Sequence, residues 1–330
     1  MMYEKKYHDS DISKKSFLVT GGAGFIGSNI VEYLLKNNAS KVVVLDNLST
    51  GFKENIEPFL LNPNFTFIEG DIRNLDDCKA AVAGIDYVTH QAALGSVPRS
   101  VENPIATNEV NVTGFLNMLV AARDSKVQRF VYASSSSVYG DSKELPKVEQ
   151  NIGNPLSPYA VTKYLNELYA NVFGQTYNMP IIGLRYFNIF GPRQNPKGAY
   201  AAAIPLFMDA LIHNQSPFIN GDGEQSRDFT FVENAVQANV RAMFTSIDGA
   251  VGQTYNIACG GRITVNDLFN ILKKHTGATV NAAYRDERVG DIRDSLANIS
   301  KAQKLLGYDP SFGIDDGLKI TLEWFKAKFY

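Results

Sequence analysis

Apolar positions in the first half of the chain fall into two alternating kinds of run. Short blocks, mostly apolar and rich in β-branched and aromatic residues, occupy Phe17–Thr20, Lys41–Leu45, Phe65–Glu69, Tyr87–His90, Arg129–Ala133 and Ile181–Arg185. Blocks of this kind are expected of strands buried on both faces. Between them, apolar residues recur at helical spacing near Gly27–Lys36, Leu75–Val82, Ile105–Ser125 and Ser157–Thr176. Strand alternating with helix predicts the α/β class, a doubly wound parallel sheet of the Rossmann type. After about residue 186 the elements shorten, and Gly and Pro become frequent in GPRQNPKGAY and NGDGEQ. A second, smaller α/β lobe is expected there, closing a cleft over the carboxyl edge of the sheet. The expected division is a polar extension at 1–16, a sheet domain at 17–186 and the smaller lobe at 187–330, some of whose segments return to the first domain.

The turn after the first strand carries candidate chemistry. FLVTGGAGFIGSNIVEYLL spaces Gly21, Gly24 and Gly27 as G-x-x-G-x-x-G between a buried strand and an amphipathic helix. One glycine allows the tight turn, another lets the backbone approach a pyrophosphate at the helix N-terminus, and the third lets helix and strand pack closely. The next strand ends in Asp46, within VVVLDNLSTG. A carboxylate there can bind both ribose hydroxyls of NAD and would repel the 2′-phosphate of NADP. GDIRN, after the third strand, puts Asp71 and Ile72 where an adenine edge could sit.

A phenol and an amine stand four residues apart in SPYAVTKYLNELYA, as Tyr159 and Lys163. Ser157 reads as an N-cap and Pro158 as the first helical residue, so the pair shares one helix face. A second Tyr-x-x-x-Lys, Tyr139 to Lys143, encloses Gly140, Asp141 and Ser142, which is turn composition and aligns nothing. An unperturbed tyrosine has a pKa near 10. A neighbouring ammonium and an oxidised nicotinamide would both favour the phenolate, making Tyr159 a base for a sugar hydroxyl. YASSSSVYG offers hydroxyls at the end of the fifth strand, with Ser135 as the partner and Ser136 beside it.

Bulk properties remove rival classes. The chain has 330 residues, 45% hydrophobic and 20% charged, with a net charge of −2. That suits a sizeable core and gives no basic excess for nucleic acid or an anionic membrane. No apolar run would span a bilayer, and MMYEKKYHDSDISKKS lacks the apolar stretch of a signal peptide. Cys78 and Cys259 have no metal-like spacing, and His8, His90, His213 and His275 are scattered. No metal site is expected, and a reducing cytoplasm fits.

Taken together, TGGAGFIG, SSSSVYG, SPYAVTK and LRYFNIFGPRQ resemble the extended short-chain dehydrogenase/reductases that act on nucleotide sugars. The resemblance runs from about residue 15 to 325 and is nearest to the UDP-hexose 4-epimerases. QAALGSVPRS, GAYAAAIP and INGDGEQSRDF resemble the bacterial branch handling N-acetylated sugars. Sugar-nucleotide dehydratases of this family carry an Asp-Glu pair just before Val-Tyr-Gly, and uronate decarboxylases a Glu at the second place. Here those places are Ser136 and Ser137, which supply no acid for dehydration. The resemblance implies epimerisation at carbon 4 of a UDP-sugar with tightly held NAD, regenerated each turnover. Tyr159, Ser135 and Lys163 would be catalytic. UDP-N-acetylglucosamine/UDP-N-acetylgalactosamine is the preferred pair; UDP-glucose/UDP-galactose and UDP-N-acetyl uronic acids are the alternatives. A non-catalytic NAD sensor would usually have lost Tyr159 or Lys163, and both are retained.

The resemblance also implies contacts. For NAD these are Phe25, Ile26, Asp46, Asn47, Leu48, Ser49, Thr50, Gly51, Asp71, Ile72, Gln91, Ala92, Ala93, Asn111, Lys163 and Phe187. For the UDP-sugar they are Asn188, Ala202, Asn220, Arg227, Arg288 and Asp291, the two arginines suiting a pyrophosphate. Ser295 takes the place where epimerases limited to plain sugars tend to carry a bulky tyrosine, leaving space for an acetamido group. Gly95, Ser96 and Arg99 would line the same pocket, and Arg99 would suit a carboxylated sugar. A homodimer is implied through Leu165, Leu168, Tyr169 and Val172 on one helix and Phe115, Leu119 and Ala122 on the one before.

Overall fold

The structure is a computed structural model that describes residues 2–195, 202–287 and 293–329. The first half runs β1 (Ser16–Thr20), α1 (Phe25–Lys36), β2 (Lys41–Asp46), β3 (Phe65–Glu69), α2 (Leu75–Val82), β4 (Tyr87–His90) and α3 (Val97–Glu102). A helical stretch follows: α4 (Pro104–Asn108), a π-helical turn (Glu109–Gly114) and α5 (Phe115–Asp124). Then come β5 (Arg129–Ser135), α6 (Pro158–Tyr177) and β6 (Ile181–Tyr186). Beyond them lie β7 (Ile189–Phe190), α7 (Ala203–Ile212), β8 (Phe218–Asn220), β9 (Ser226–Arg227), β10 (Thr230–Phe231) and α8 (Val232–Phe244). The described chain ends with β11 (Thr254–Ile257), β12 (Ile263–Thr264), α9 (Val265–Thr276), β13 (Ala283–Arg285), α10 (Ser300–Leu306) and α11 (Ile314–Phe329).

Seven parallel strands form the main sheet in the order β3-β2-β1-β4-β5-β6-β11. Their side chains alternate between two cores. Phe17 and Val19 face the core that holds Ile30 and Leu34 of α1 and Val236 and Val240 of α8. Leu18 faces the other, with Ala81 of α2, Phe115 and Leu119 of α5 and Phe173 of α6. Burial on both faces is why these strands are almost uniformly apolar. A third core, with Phe207, Leu268 and Leu322, fills the lobe built from α7, α9 and α11.

Two elements of this sheet domain lie late in the chain. Strand β11 pairs with β6, Tyr255 opposite Leu184. Helix α8 packs beside α1 with almost every residue buried, among them Asn234, Gln237 and Asn239. Its buried amides are bonded, Asn239 Nδ2 to Tyr186 Oη at 2.7 Å for instance, so α8 carries polar residues into the interior without leaving them unpaired. The stretch expected as one helix over Ile105–Ser125 contains the π-helical turn, where Asn166 Nδ2 of α6 donates to the Asn111 carbonyl at 2.8 Å.

Two expectations are corrected. Phe115, Leu119 and Ala122, expected at a dimer contact, are at most 1% exposed and belong to the chain's own core. Residues 1–16, expected as an extension, pack into the fold from Tyr3 onward. Tyr3, Tyr7 and Ile12 are buried, and the Tyr7 ring stacks on Tyr33 of α1 at 5.5 Å. Glu233 Oε1 of α8 accepts from the Tyr3 N–H at 2.9 Å and from the Tyr7 hydroxyl at 2.8 Å. No helix among the described residues is long and apolar enough to cross a membrane.

Glu233→Ala would leave both donors buried without an acceptor. It should cost about 3 kcal/mol in urea unfolding, from two lost bonds to a charged group, and expose residues 2–12 to protease. A cost below about 0.5 kcal/mol, the usual range of neutral surface changes, would show that this segment is not part of the cooperative core.

Candidate active site

All strands of a parallel sheet end on one edge, and here that edge opens into a cavity of about 700 Å³. The glycine turn forms one wall. Gly21 has φ of +68°, and a Cβ on Gly27 would lie 2.2 Å from the Gly21 carbonyl oxygen, so strand and helix meet backbone to backbone. The N-cap of α1 is Gly24, which offers no side-chain acceptor. The first-turn residues Phe25, Ile26 and Gly27 thus line the cavity with their amide groups available to an anion.

Asp46 closes the end of β2. Its carboxylate accepts from the Ala23 N–H at 3.0 Å and the Leu48 N–H at 2.9 Å, which fixes it, while burial raises its pKa. Asn47, Ser49, Thr50, Gly51, Asp71, Ile72, Gln91, Ala92 and Ala93 also line the cavity. The Asp71 carboxylate is already engaged: Arg73 grips it with bonds as short as 2.7 Å and holds its pKa down to about 2, and Asn47 donates at 2.9 Å. Gln91 is fixed by Thr89 and by the Tyr186 hydroxyl.

The catalytic candidates converge at the centre. Ser157 accepts from the Ala160 N–H at 3.1 Å as the N-cap of α6, with Pro158 opening the helix. Tyr159 and Ser135 line the same cavity, and the Lys163 ammonium sits 5.9 Å from the Tyr159 ring centroid. Lys163 Nζ donates to the Ala133 carbonyl at 2.8 Å. Burial raises the Tyr159 pKa, against the influence of Ser135. Burial also lowers Lys163 to about 8, against the pull of Glu167. Burial thus pushes both groups toward neutrality, and a positive charge would relieve only Tyr159. The rival Tyr139 is buried instead and donates to Asn256 at 2.6 Å.

Several expected contacts stand elsewhere. Leu48 does not line the cavity; it adopts a left-handed turn and packs toward the core. Asn111 is buried beneath the wall and holds Leu94 by its N–H at 2.8 Å and its carbonyl at 3.2 Å, so it shapes the cavity from behind. Phe187 is fully buried against Val138, Tyr139 and Ala258. Ser136 opens the turn after β5 and is outside the lining. Ser295 lines neither cavity; its N–H donates to the Ser226 carbonyl at 3.1 Å. Arg288 and Asp291 fall outside the described residues.

Gly95, Ser96, Arg99, Asn188 and Ala202 extend the lining beyond Tyr159. Asn188 also borders a second cavity of about 490 Å³, where Asn220 and Arg227 lie. That cavity holds two residues the sequence reading missed. Arg285 stands over the half-exposed Phe218 ring at 5.3 Å and donates to Asn220 Oδ1 at 2.6 Å. Tyr186, Ser134 and Gln194 in the first cavity were missed as well. LRYFNIFGPRQ contains Tyr186 and Gln194, so for these two the signal was present and only the strand end was misjudged.

The geometry thus offers a dinucleotide groove, a Ser-Tyr-Lys centre and an adjoining cavity bearing two arginines and an aromatic ring. A family model described as the NAD dependent epimerase/dehydratase family matches residues 17–258. A putative UDP-glucose 4-epimerase of Methanocaldococcus jannaschii is 41% identical over 311 residues, covering 94% of this chain and 98% of that protein. A UDP-N-acetylglucosamine 4-epimerase from Methanobrevibacter ruminantium, solved with UDP-N-acetylmuramic acid, superposes with a TM-score of 0.90 at 38% identity, covering 96% and 99% of the two chains. A Thermus thermophilus UDP-glucose 4-epimerase complex with NAD gives 0.85 at 33% identity, covering 95% and 99%.

Lys163 carries a pH signature. Its folded value of about 8 lies below the ordinary 10.5. Between those values the unfolded chain binds more protons, so this group makes stability rise with pH in that window. Relative to Lys163→Met, cofactor-free protein should gain about 3 kcal/mol across it, at 1.36 kcal/mol per pKa unit, in urea unfolding at stepped pH. A pH-independent difference would assign the lysine an ordinary environment.

Proposed function

The chain belongs to the NAD-dependent epimerase/dehydratase family, and from that premise we propose that it is a UDP-sugar 4-epimerase whose preferred pair is UDP-N-acetylglucosamine and UDP-N-acetylgalactosamine. NAD is the cofactor of this family, and the residues present fit it. The glycine cradle has no room for a Cβ, the α1 N-terminus is open to a pyrophosphate, and the fixed Asp46 carboxylate suits ribose hydroxyls. Bound NAD supplies the acceptor and donor of hydride at carbon 4 and a positive charge beside Tyr159.

The observation that carries this reading is that Tyr159, Ser135 and Lys163 line one cavity with the glycine turn and Asp46, and that Asn188 borders both this cavity and the one bearing Arg227. Ser135 orients the sugar's 4-hydroxyl. Tyr159 removes its proton and later returns it, and Lys163 keeps the phenolate stable meanwhile. Arg227 and Arg285 hold the diphosphate and base while the flat 4-keto sugar turns over in the wider cavity. Ser136 and Ser137, in place of carboxylates, support epimerisation over dehydration. Two observations support an acetylated substrate: a methyl group built on Gly95 would meet no atom within 4 Å, and the Methanobrevibacter relative is a UDP-N-acetylglucosamine 4-epimerase. Arg99 in the same wall favours UDP-N-acetyl uronic acids as the second reading. Two unpaired cysteines suit a cytoplasmic enzyme.

The reading extends to a homodimer. Its support is an apolar face left on α3, α4 and α6, with Val101 65%, Ile105 72%, Leu168 44% and Val172 52% exposed. Leu168→Glu with Val172→Glu should convert a dimer to a monomer in light scattering at micromolar concentration. A wild type already monomeric there would end this part of the reading.

Proton NMR of the carbon-4 epimers, with no added cofactor, tests the activity. UDP-N-acetylgalactosamine should convert faster than UDP-galactose, and Tyr159→Phe should lose about 10²- to 10⁴-fold in turnover, the usual worth of a positioned base, with NAD still bound. Preference for the plain sugar would refute the acetylated assignment, and full turnover by Tyr159→Phe would move the base elsewhere.

A further inference from the structure

The end of β5 is tied to one side of α6. The Ala133 carbonyl accepts from Lys163 and the Ser134 hydroxyl donates to Glu167 Oε1 at 2.5 Å, while Ser135 lines the cavity with Tyr159. Glu167 stands one helical turn beyond Lys163, as Lys163 stands one turn beyond Tyr159. Glu167 itself is almost fully enclosed, with its side chain 9% exposed. It pairs bidentately with Arg185 of β6, Nε to Oε1 at 2.9 Å and Nη2 to Oε2 at 2.8 Å. Arg185 is fixed in turn by the Glu149 carbonyl at 3.0 Å and by the Tyr139 ring at 4.9 Å.

The geometry points to Glu167 as a positioning residue of the epimerase centre: it locks the end of β5 in register with α6 and keeps a negative charge behind the Lys163 ammonium. A purely structural carboxylate would need neither the bond to Ser134 nor a place one turn from the lysine. The electrostatics agree, since Glu167 opposes the burial that pulls Lys163 toward neutrality. A neutral lysine cannot stabilise a phenolate, so the charge of Glu167 reaches Tyr159 through Lys163. The same carboxylate fixes Ser134, the neighbour of Ser135, by a short bond to a charged acceptor.

This inference rests on the proposed epimerase reading for its chemistry, but its test does not require turnover. In NAD-loaded protein, ultraviolet difference titration of wild type against Tyr159→Phe reads the phenolate directly. In Glu167→Gln the phenolate should appear at a pH at least one unit higher. In parallel, kcat should fall at least tenfold, and the alkaline limb of kcat/KM should move to lower pH, with KM changed less than threefold. Ser134→Ala should lower kcat while leaving the phenolate titration in place. The single glutamine variant strands the Arg185 charge, so Glu167→Gln with Arg185→Gln provides a folded variant with both charges removed, and the same phenolate shift is expected of it. Glu167→Asp should restore the titration in part. An unmoved phenolate in the folded variants, whatever happens to Tm, overturns the inference. A wild type that titrates as expected but turns over no UDP-sugar overturns the epimerase reading instead.

Discussion

The backbone-to-backbone contact between Gly21 and Gly27 is the constraint on which much else hangs. It sets how deeply α1 sits against the end of β1, with no side chain able to intervene. Helix α1 then serves as an anchor on its other sides. Asn29 accepts from the Tyr3 hydroxyl at 2.5 Å and donates to the Pro192 carbonyl at 3.1 Å. Glu32 pairs with Arg193 at 2.5 Å, and Tyr33 takes the Tyr7 N–H at 2.7 Å. The segment leading to Gln194, which lines the cavity, is therefore positioned from the same helix whose N-terminus faces the dinucleotide groove.

The chemistry of the centre is one of enforced incompleteness. Burial favours the neutral form of both Tyr159 and Lys163. Each needs a charge that the pair cannot provide: a positive one for the phenolate, a negative one for the ammonium. Glu167 answers the second need from behind, insulated by its pairing with Arg185. In the proposed reading the positive ring of bound NAD would meet the first. Base strength would then develop when the groove is filled. His90 beneath the floor is held neutral: burial between Phe115 and Phe130, helped by the Lys163 charge, pushes it down to about 3, and it partners Thr20 at 2.9 Å.

Features that depend on local periodicity were legible in the sequence; those that depend on distant partners were not. Phe65–Glu69, Tyr87–His90 and Leu75–Val82 have the bounds expected of them, the strands because they are short runs between turn residues and the helix because Asn74 caps its start. The glycine turn, Asp46 and the Tyr159–Lys163 pair were legible because their spacing is itself the requirement. Strand β11 was hidden because four residues carrying a polar Asn256 show no pattern until β6 lies beside them. Helix α8 had apolar residues at helical spacing and was missed all the same; only its place beside α1, with amides satisfied by Tyr186 and Phe312, needed the structure. Position-by-position transfer named many residues that line the cavity and also Leu48, Asn111, Ser136, Phe187 and Ser295, which do not, since aligned position does not say which way a side chain turns. The importance of Glu167 could be read only once Ser134 and Arg185 were seen to meet on it.

The junction of Tyr3 and Tyr7 with Glu233 bears on how the protein is made. Residues 3 and 233 are 230 positions apart, and the strand completing that side of the sheet, β11, is later still. On a ribosome the partners of Tyr3 and Tyr7 on α1 emerge soon after them, whereas Glu233 follows only when about two-thirds of the chain has been synthesised. Through that interval the Tyr3 N–H and the Tyr7 hydroxyl lack their buried acceptor. The segment is thus placed early by a neighbour and fastened late by a distant one.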